Sequence, residues 1–316
     1  MTQEMPSTGS VVALAGGVGG ARFLRGLAAA INPATITAVV NTADDFTHHG
    51  LRISPDIDTV VYTLSGLVNE QTGWGIAGDT TGCLEMLGRL GEPTWFRLGD
   101  RDLAMHLVRT RLLSEGLPLS AVTDRIRSAL GIASRVLPMT DEEVATEIET
   151  PDGLLPFQDY FVREACRPVV RGVRFRGADQ ARPAPGVLAA IAAAQAIILC
   201  PSNPIVSIAP ILAVPGIAEA IAASPARVAA VSPIVGGKAL KGPADRMLRD
   251  LGQDSTASGV AKIHAGLVDV FVLDRADETL SEEVRALGLE PFVTDTIMAD
   301  LSRARALALA VLERLT

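Results

Sequence analysis

The chain has 316 residues, 48% of them hydrophobic and 20% charged, with a formal net charge of −8. That composition builds a packed core and excludes a disordered chain, while the acidic balance argues against a general nucleic-acid binder, which needs a basic footprint. Cys83, Cys166 and Cys200 are an odd number of cysteines at wide spacing with no CxxC, so neither a disulfide framework nor a zinc site is expected. Met1–Ser10 lacks the basic and apolar regions of a signal peptide, and the longest apolar stretch, Val187–Cys200, is too short to span a bilayer. The expectation is a cytoplasmic protein that touches no membrane.

Val11–Ala15 is an apolar run that predicts a buried strand. Gly16-Gly17-Val18-Gly19-Gly20-Ala21-Arg22 follows, and then an apolar-periodic stretch, Phe23–Ile31, predicts a helix. Strand, glycine turn and helix open a doubly wound α/β domain, and such a turn offers backbone N–H groups to a phosphate. Read as a dinucleotide fingerprint, it has Gly17 and Gly19 but Arg22 where a third small residue belongs. It also lacks the Gly-Lys-Ser/Thr ending of a P-loop. Arg22 shifts the expectation from a nicotinamide dinucleotide to a nucleotide diphosphate; a tight turn with no ligand is the competing reading.

A second strand, Thr35–Val40, runs into Asn41-Thr42-Ala43-Asp44-Asp45. Ser54-Pro55-Asp56-Ile57-Asp58 then opens a helix, with Ser54 as N-cap, Pro55 in the first turn and the acids favoured by the dipole. Asp44, Asp45, Asp56 and Asp58 near one sheet edge repel each other unless protons or a cation compensate. Hard oxygen ligands beside a phosphate loop suit Mg²⁺. Capping for Asp56 and a solvated loop for Asp44 compete with that reading.

Residues 70–164 predict an inserted, mainly helical cap, with β-rich stretches at 135–138, 145–150 and 155–161. Its loops and helices carry Trp74, Trp95, Arg97, Asp100, Asp102, His106 and Arg109. Tryptophans can stack on a planar ring, although core packing explains a Trp as well. Asp102 and His106 have the i,i+4 spacing of a surface pair. His48 and His49 lack metal-ligand spacing and suit a loop.

From Val169 the chain alternates strands (Ala196–Cys200, Val228–Val231, Val268–Leu273) with helices (Pro185–Ala194, Pro215–Ala223, Pro243–Leu251, Ile297–Leu315), the signature of right-handed crossovers in a parallel sheet. The fold expected is a Rossmann-like three-layer α/β/α sheet built from 1–69 and 165–316, with 70–164 as the cap. Pro201-Ser202-Asn203-Pro204 with Ser207 places polar side chains at a strand end, where Ser202 or Asn203 also suits a helix N-cap. Gly236-Gly237-Lys238 begins a basic loop suited to phosphate or to a mobile surface. No GxSxG elbow or Ser-His-Asp arrangement is present, so acyl hydrolysis has no support.

Taken together, these segments resemble the 2-phospho-L-lactate transferases of deazaflavin coenzyme F-420 biosynthesis. The resemblance rests on the glycine turn through Arg22, Asn41–Asp45, Ser54–Thr59, Leu98-Gly99-Asp100-Arg101-Asp102, Phe157-Gln158, Pro201–Pro204 and Ser232-Pro233-Ile234, in order, from about residue 11 to 300. It implies transfer of a phosphoenolpyruvyl or 2-phospholactyl group from its guanosine diphosphate ester to the ribityl hydroxyl of the deazaflavin Fo, with release of GMP. The Ala- and Arg-rich composition points to the actinobacterial, phosphoenolpyruvate-transferring type.

The resemblance also implies site roles. Asp44, Asp45, Asp56 and Asp58 would hold Mg²⁺, with Asp45 and Asp58 catalytic. Gly16, Gly17, Gly19, Gly20 and Arg22 would cradle phosphate, and Ser202, Asn203, Ser207, Gly236 and Lys238 would surround the guanosine. Asp58, Trp74, Arg97, Asp100 and His106 would meet the deazaflavin. A homodimer is expected. The gluconeogenesis-factor-like branch shares the glycine turn and the Asn-Pro strand end, so a non-catalytic nucleotide-sugar sensor is one alternative and an NAD(P)-dependent oxidoreductase another. The Leu-Gly-Asp-Arg-Asp motif and Phe157-Gln158 favour the transferase.

Overall fold

The computed structural model describes residues 9–315, so the expectation for Met1–Ser10 lies almost wholly outside the described residues. In chain order the first half comprises β1 (Val11–Ala15), α1 (Gly17–Ala30), β2 (Ile36–Val40), the hairpin β3 (Phe46–His48) and β4 (Leu51–Ile53), α2 (Pro55–Leu64), α3 (Gly82–Arg89), α4 (Asp100–Ser114), α5 (Leu119–Ala129), β5 (Arg135–Pro138), β6 (Ala145–Thr150) and β7 (Gly153–Pro156). The second half comprises β8 (Gly172–Arg176), α6 (Val187–Ala192), β9 (Ala196–Leu199), α7 (Ala209–Leu212), α8 (Ile217–Ala223), β10 (Arg227–Val231), the hairpin β11 (Ile234–Val235) and β12 (Lys238–Ala239), α9 (Ala244–Asp250), α10 (Ala257–His264), β13 (Val270–Asp274), α11 (Ser281–Ala286), β14 (Glu290–Thr294) and α12 (Leu301–Leu315).

Seven parallel strands form the main sheet in the order β5-β2-β1-β9-β10-β13-β14. The chain starts in the middle, runs outward to β5, then returns to β9 on the other side of β1. Strand order therefore reverses between β1 and β9, and in open α/β sheets ligands bind outside the carboxyl ends at such a switch point. Alternation along β1 feeds two apolar layers: Val11, Ala13 and Ala15 pack with α1, α2, α5 and α12, whereas Val12 and Leu14 pack with α6 through α11.

The structure corrects four expectations. Helix α1 begins at Gly17 and not at Phe23, so the glycines form its first turn. The segment 70–164 is not wholly an insert: β5 pairs with β2 in the main sheet, and Leu119, Val122 and Ile126 of α5 sit in the same apolar layer as α1. Beyond residue 164, β8 pairs with β6 in a separate three-stranded antiparallel sheet, so that β layer crosses the expected boundary. Residues 157–161 do not continue a strand; Asp159–Arg163 forms a π-helical turn. The three cysteines are free, as expected. Among the described residues no single helix is long and apolar enough to cross a membrane.

Candidate active site

The glycine turn is shaped by packing before any ligand is considered. A Cβ on Gly16 would lie 2.5 Å from Asp56 Oδ2 and 2.7 Å from Ser207 Cβ; on Gly19 it would lie 2.1 Å from the Pro201 carbonyl oxygen, and on Gly20 2.6 Å from Ser202 Oγ. Only glycine lets the start of α1 press this closely on the segment leaving β9. Gly17 adopts φ +63°, which also favours glycine. Ser202 Oγ accepts from the Gly16 N–H at 3.2 Å and donates to its carbonyl at 2.9 Å. The Gly17 N–H donates to Asp56 Oδ1 at 2.8 Å. Two of the expected phosphate donors are thus engaged within the protein. Val18 and Gly19 supply the remaining first-turn N–H groups, which no helix satisfies internally.

Other members of the expected phosphate and guanosine set have structural duties. Asn203 caps the turn Pro204–Ile208, its Oδ1 accepting from the Ile205 N–H at 2.9 Å. Ser207 packs beneath Gly16. Arg22 is half-buried and donates to the Glu70 carbonyl at 3.4 Å; with Arg25, Gly73 and the start of α12 it lines a recess that contains none of the four aspartates. The Gly236 N–H donates to Asp277, and Lys238 is exposed just past the hairpin tip.

All four aspartates are buried at the carboxyl end of β2 and in the first turn of α2. Their surroundings differ. Besides the Gly17 bond, Asp56 accepts from Asn41 Nδ2 at 2.9 Å, and the same amide reaches Asp44 Oδ2 at 3.1 Å. Both oxygens of Asp58 accept from the Arg109 guanidinium of α4, one at 3.1 Å. His106 Nδ1 lies 3.1 Å from Arg109, His106 Nε2 lies 3.2 Å from Asp102, and the Tyr62 hydroxyl donates to Asp102. Asp45 Oδ2 accepts from Ser54 Oγ at 2.6 Å and lies 3.8 Å from the Arg52 guanidinium. Ser54 therefore serves Asp45 and makes no side-chain cap on α2, contrary to expectation.

One oxygen of Asp44 and one of Asp45, Oδ1 in each, are buried with no hydrogen-bond partner. Burial pushes Asp45 up to about 7, against the opposing pull of Arg52 and Ser54. Burial likewise pushes Asp56 up to about 6. Asp44 rises well above the carboxylate range through burial and then through the neighbouring charges of Asp56 and Asp45. Buried carboxylates in this state either hold protons or hold a cation. The four do not form a ready-made cage: among the described residues no three His, Cys, Asp or Glu side chains converge on one point. Mg²⁺ needs only one or two carboxylates when substrate phosphates and water complete its shell. The open oxygens of Asp44 and Asp45 fit that requirement, whereas Asp56 and Asp58 are engaged.

The expected ring-binding set does not assemble. His106 is only 1% exposed and lies inside the Asp58–Arg109–Asp102 network, so it is not a surface pair. Asp100 accepts from Thr80 Oγ1 and from the Gly82 and Cys83 N–H groups at the start of α3, while Asp79 accepts from the Arg101 and Asp102 N–H groups at the start of α4. The two acids bracket two helix starts against each other. Trp74 and Arg97 are exposed. What the sequence did not single out is an aromatic cluster next to Asp45: Phe46 and His48 of β3 with Trp95 and Phe96 of the cap. His48 Nε2 is buried without a partner, and burial lowers the imidazole pKa.

A Rossmann-like sheet whose switch point carries a glycine-lined helix start and a buried acidic cluster defines a doubly wound α/β protein with its candidate site at that switch point. The family model for 2-phospho-L-lactate transferase CofD matches residues 11–314, and the chain belongs to this family of transferases of coenzyme F420 biosynthesis. It is 45% identical over 309 residues to a phosphoenolpyruvate transferase of Streptomyces griseus, covering 96% of this chain and 97% of that one. It is 40% identical over 291 residues to a 2-phospho-L-lactate transferase of Methanothermobacter thermautotrophicus, covering 92% and 93%. A solved structure, protein BH3568 of Bacillus halodurans, a member of the UPF0052 family, superposes with a TM-score of 0.64 at 19% identity over 96% of this chain and 100% of that one. That likeness concerns the fold alone. Membership makes the chain a transferase enzyme and favours neither the non-catalytic sensor nor the NAD(P)-dependent oxidoreductase.

Proposed function

We propose that the chain transfers a phosphoenolpyruvyl group from its guanosine diphosphate ester to the terminal ribityl hydroxyl of the deazaflavin Fo. The names of the actinobacterial relatives support the enolpyruvyl form of the donor over the lactyl form. The hydroxyl oxygen bonds to the phosphorus that carries the enolpyruvyl group, the bond from that phosphorus to the GMP oxygen breaks, and the hydroxyl proton passes to a carboxylate. The observation that carries this reading is the pair of open buried oxygens on Asp44 and Asp45 at the switch point.

The two neighbours take different roles. Asp44 has acidic neighbours, Asp56 and Asp45, and gains most from a metal; with the donor phosphates it would hold Mg²⁺, which offsets charge on the diphosphate. Asp45 already has Arg52 and Ser54 on one oxygen and is poised near neutrality, so its other oxygen orients the hydroxyl and accepts its proton. Asp58, held by Arg109, orders the cluster from behind. The Val18 and Gly19 N–H groups stabilise phosphate charge as it shifts toward GMP.

Transfer assays with Fo, donor and Mg²⁺ test this. Asp45→Asn is expected to lower kcat about 10²–10⁴-fold, and Asp44→Asn to raise the Mg²⁺ concentration needed for half-maximal rate. Both variants should keep the wild-type circular dichroism. Near-normal turnover of Asp45→Asn, or an unchanged Mg²⁺ requirement of Asp44→Asn, overturns the assignment.

A further inference from the structure

We infer that His106 is a positioning residue for the transfer: it holds the Arg109 guanidinium on Asp58 and so fixes the cap helix α4 on α2 beside the reacting carboxylates. The inference rests on the transfer reading above and deepens it, because it gives a buried histidine of the cap a part in ordering Asp45.

Three observations lead there. First, five polar side chains form one chain between two helices. Asp58 and Tyr62 lie one turn apart on α2, and Asp102, His106 and Arg109 follow at helical spacing on α4. Both oxygens of Asp58 accept from Arg109, Arg109 Nη1 lies 3.1 Å from His106 Nδ1, His106 Nε2 lies 3.2 Å from Asp102 Oδ1, and the Tyr62 hydroxyl donates to the same oxygen. The chain starts and ends on α2, so α4 is pinned at two points one turn apart. A slide of α4 by one residue, about 1.5 Å, misplaces every partner.

Second, the partners set the protonation of the ring. A guanidinium only donates, so Nδ1 accepts from Arg109 and the ring proton sits on Nε2, facing Asp102. Asp102 Oδ1 is poorly aligned for that proton, which has no better acceptor. In this form histidine takes a hydrogen bond from a cation at one end, offers one to an anion at the other, and adds no charge of its own. Leucine in its place would leave an Arg109 N–H without its acceptor, and a carboxylate would add a third anion to Asp58 and Asp102.

Third, Arg109 has few other holds. It is 1% exposed, its Nε has no hydrogen-bond partner, and beyond Asp58 and His106 its guanidinium donates among the described residues only to the Arg52 carbonyl, at 3.4 Å. Arg52 is the residue whose own guanidinium lies 3.8 Å from Asp45, and the charges of Arg109 and Asp58 also reach Asp45. Without His106 the Arg109 guanidinium is freed to turn, and the contacts that place Asp58 and the Arg52 backbone around Asp45 loosen with it.

Steady-state transfer by full-length protein with Fo, donor and Mg²⁺ tests this, with the fold of each variant checked by circular dichroism and urea unfolding. His106→Leu removes both ring nitrogens and is expected to lower kcat about 10–100-fold, with the KM values for Fo and donor within about threefold of wild type. His106→Asn keeps an acceptor for Arg109 in its side-chain oxygen and should turn over about three- to tenfold faster than His106→Leu. If His106→Leu does not fold, His106→Asn decides by the same split, kcat lowered and KM kept. Wild-type kcat in a folded variant, with only stability lost, marks a structural contact and overturns the positioning role. A raised KM with kcat kept marks a substrate contact and overturns it too, as do equal rates in the two variants. Failure of wild-type protein to transfer overturns the transfer reading itself.

Discussion

Two acidic pairs sit side by side at the switch point, and the protein treats them differently. Asp56 and Asp58 lie in the first turn of α2 and are satisfied from within: Gly17 and Asn41 donate to Asp56, and Arg109 donates to both oxygens of Asp58. Asp44 and Asp45 lie at the end of β2, and each keeps one buried oxygen with no partner. The same residue type, a dozen residues apart, is fully partnered in one pair and keeps an open oxygen in the other. Partnership, not burial, makes the difference, because all four are buried.

The largest expected effect breaks the satisfied pair. Arg109→Met leaves Asp58 as an uncompensated buried charge and should destabilise the protein by about 3–5 kcal/mol in urea unfolding. Adding Asp58→Leu should recover much of that loss. A single variant within about 1 kcal/mol of wild type would show that Arg109 does not hold Asp58.

A smaller effect reads the unsatisfied pair. The Asp45 carboxyl is raised when folded, so the folded chain holds a proton that the unfolded chain has released. Stability from that group is lost as pH rises through about 7. Burial lowers His48 and His264, so the unfolded chain binds protons that the folded chain excludes and their contribution to stability rises with pH over the same window, opposing that of Asp45, while the raised Asp44 and Asp56 add to the loss. The Asp45 contribution is therefore read as a difference: between pH 6.5 and 8 metal-free wild-type protein should lose roughly 1 kcal/mol, about 2 °C in Tm, relative to Asp45→Asn. Parallel Tm–pH slopes in wild type and Asp45→Asn would contradict the raised carboxyl. The smallest effect concerns the cap: Asp100→Ala should loosen the start of α3 and leave the Fo Kd within about twofold, since Asp100 brackets helices. A tenfold loss of Fo affinity in that variant would return Asp100 to the ring site.

Much of the fold was legible because its signals are local. β1, β2 and β9 are short apolar runs, followed by Gly16, Asn41 and Cys200-Pro201 respectively, and their order with the helices implied a parallel sheet. The start of α1 was misplaced because glycines usually end helices, and only contact with Pro201, Ser202 and Asp56 shows why they open this one. β5 was assigned to the cap because Arg135–Pro138 is four residues long and follows a helical segment; pairing with β2 decides its place. In the site, the four aspartates could be picked out by position, whereas their division into two pairs could not. Arg109 stands 51 residues from Asp58, and Arg52 and Ser54 reach Asp45 only through the hairpin turn.

By itself, then, the sequence determined the doubly wound architecture, the family and the acidic, glycine-lined switch point, because strand and helix periodicity and turn chemistry act over a few residues. Tertiary structure alone decided which carboxylates are free, which rings meet beside them, and that His106 and Asp100 belong to the scaffold. Those outcomes depend on which donors approach a buried acceptor from distant parts of the chain, and local pattern carries no record of that.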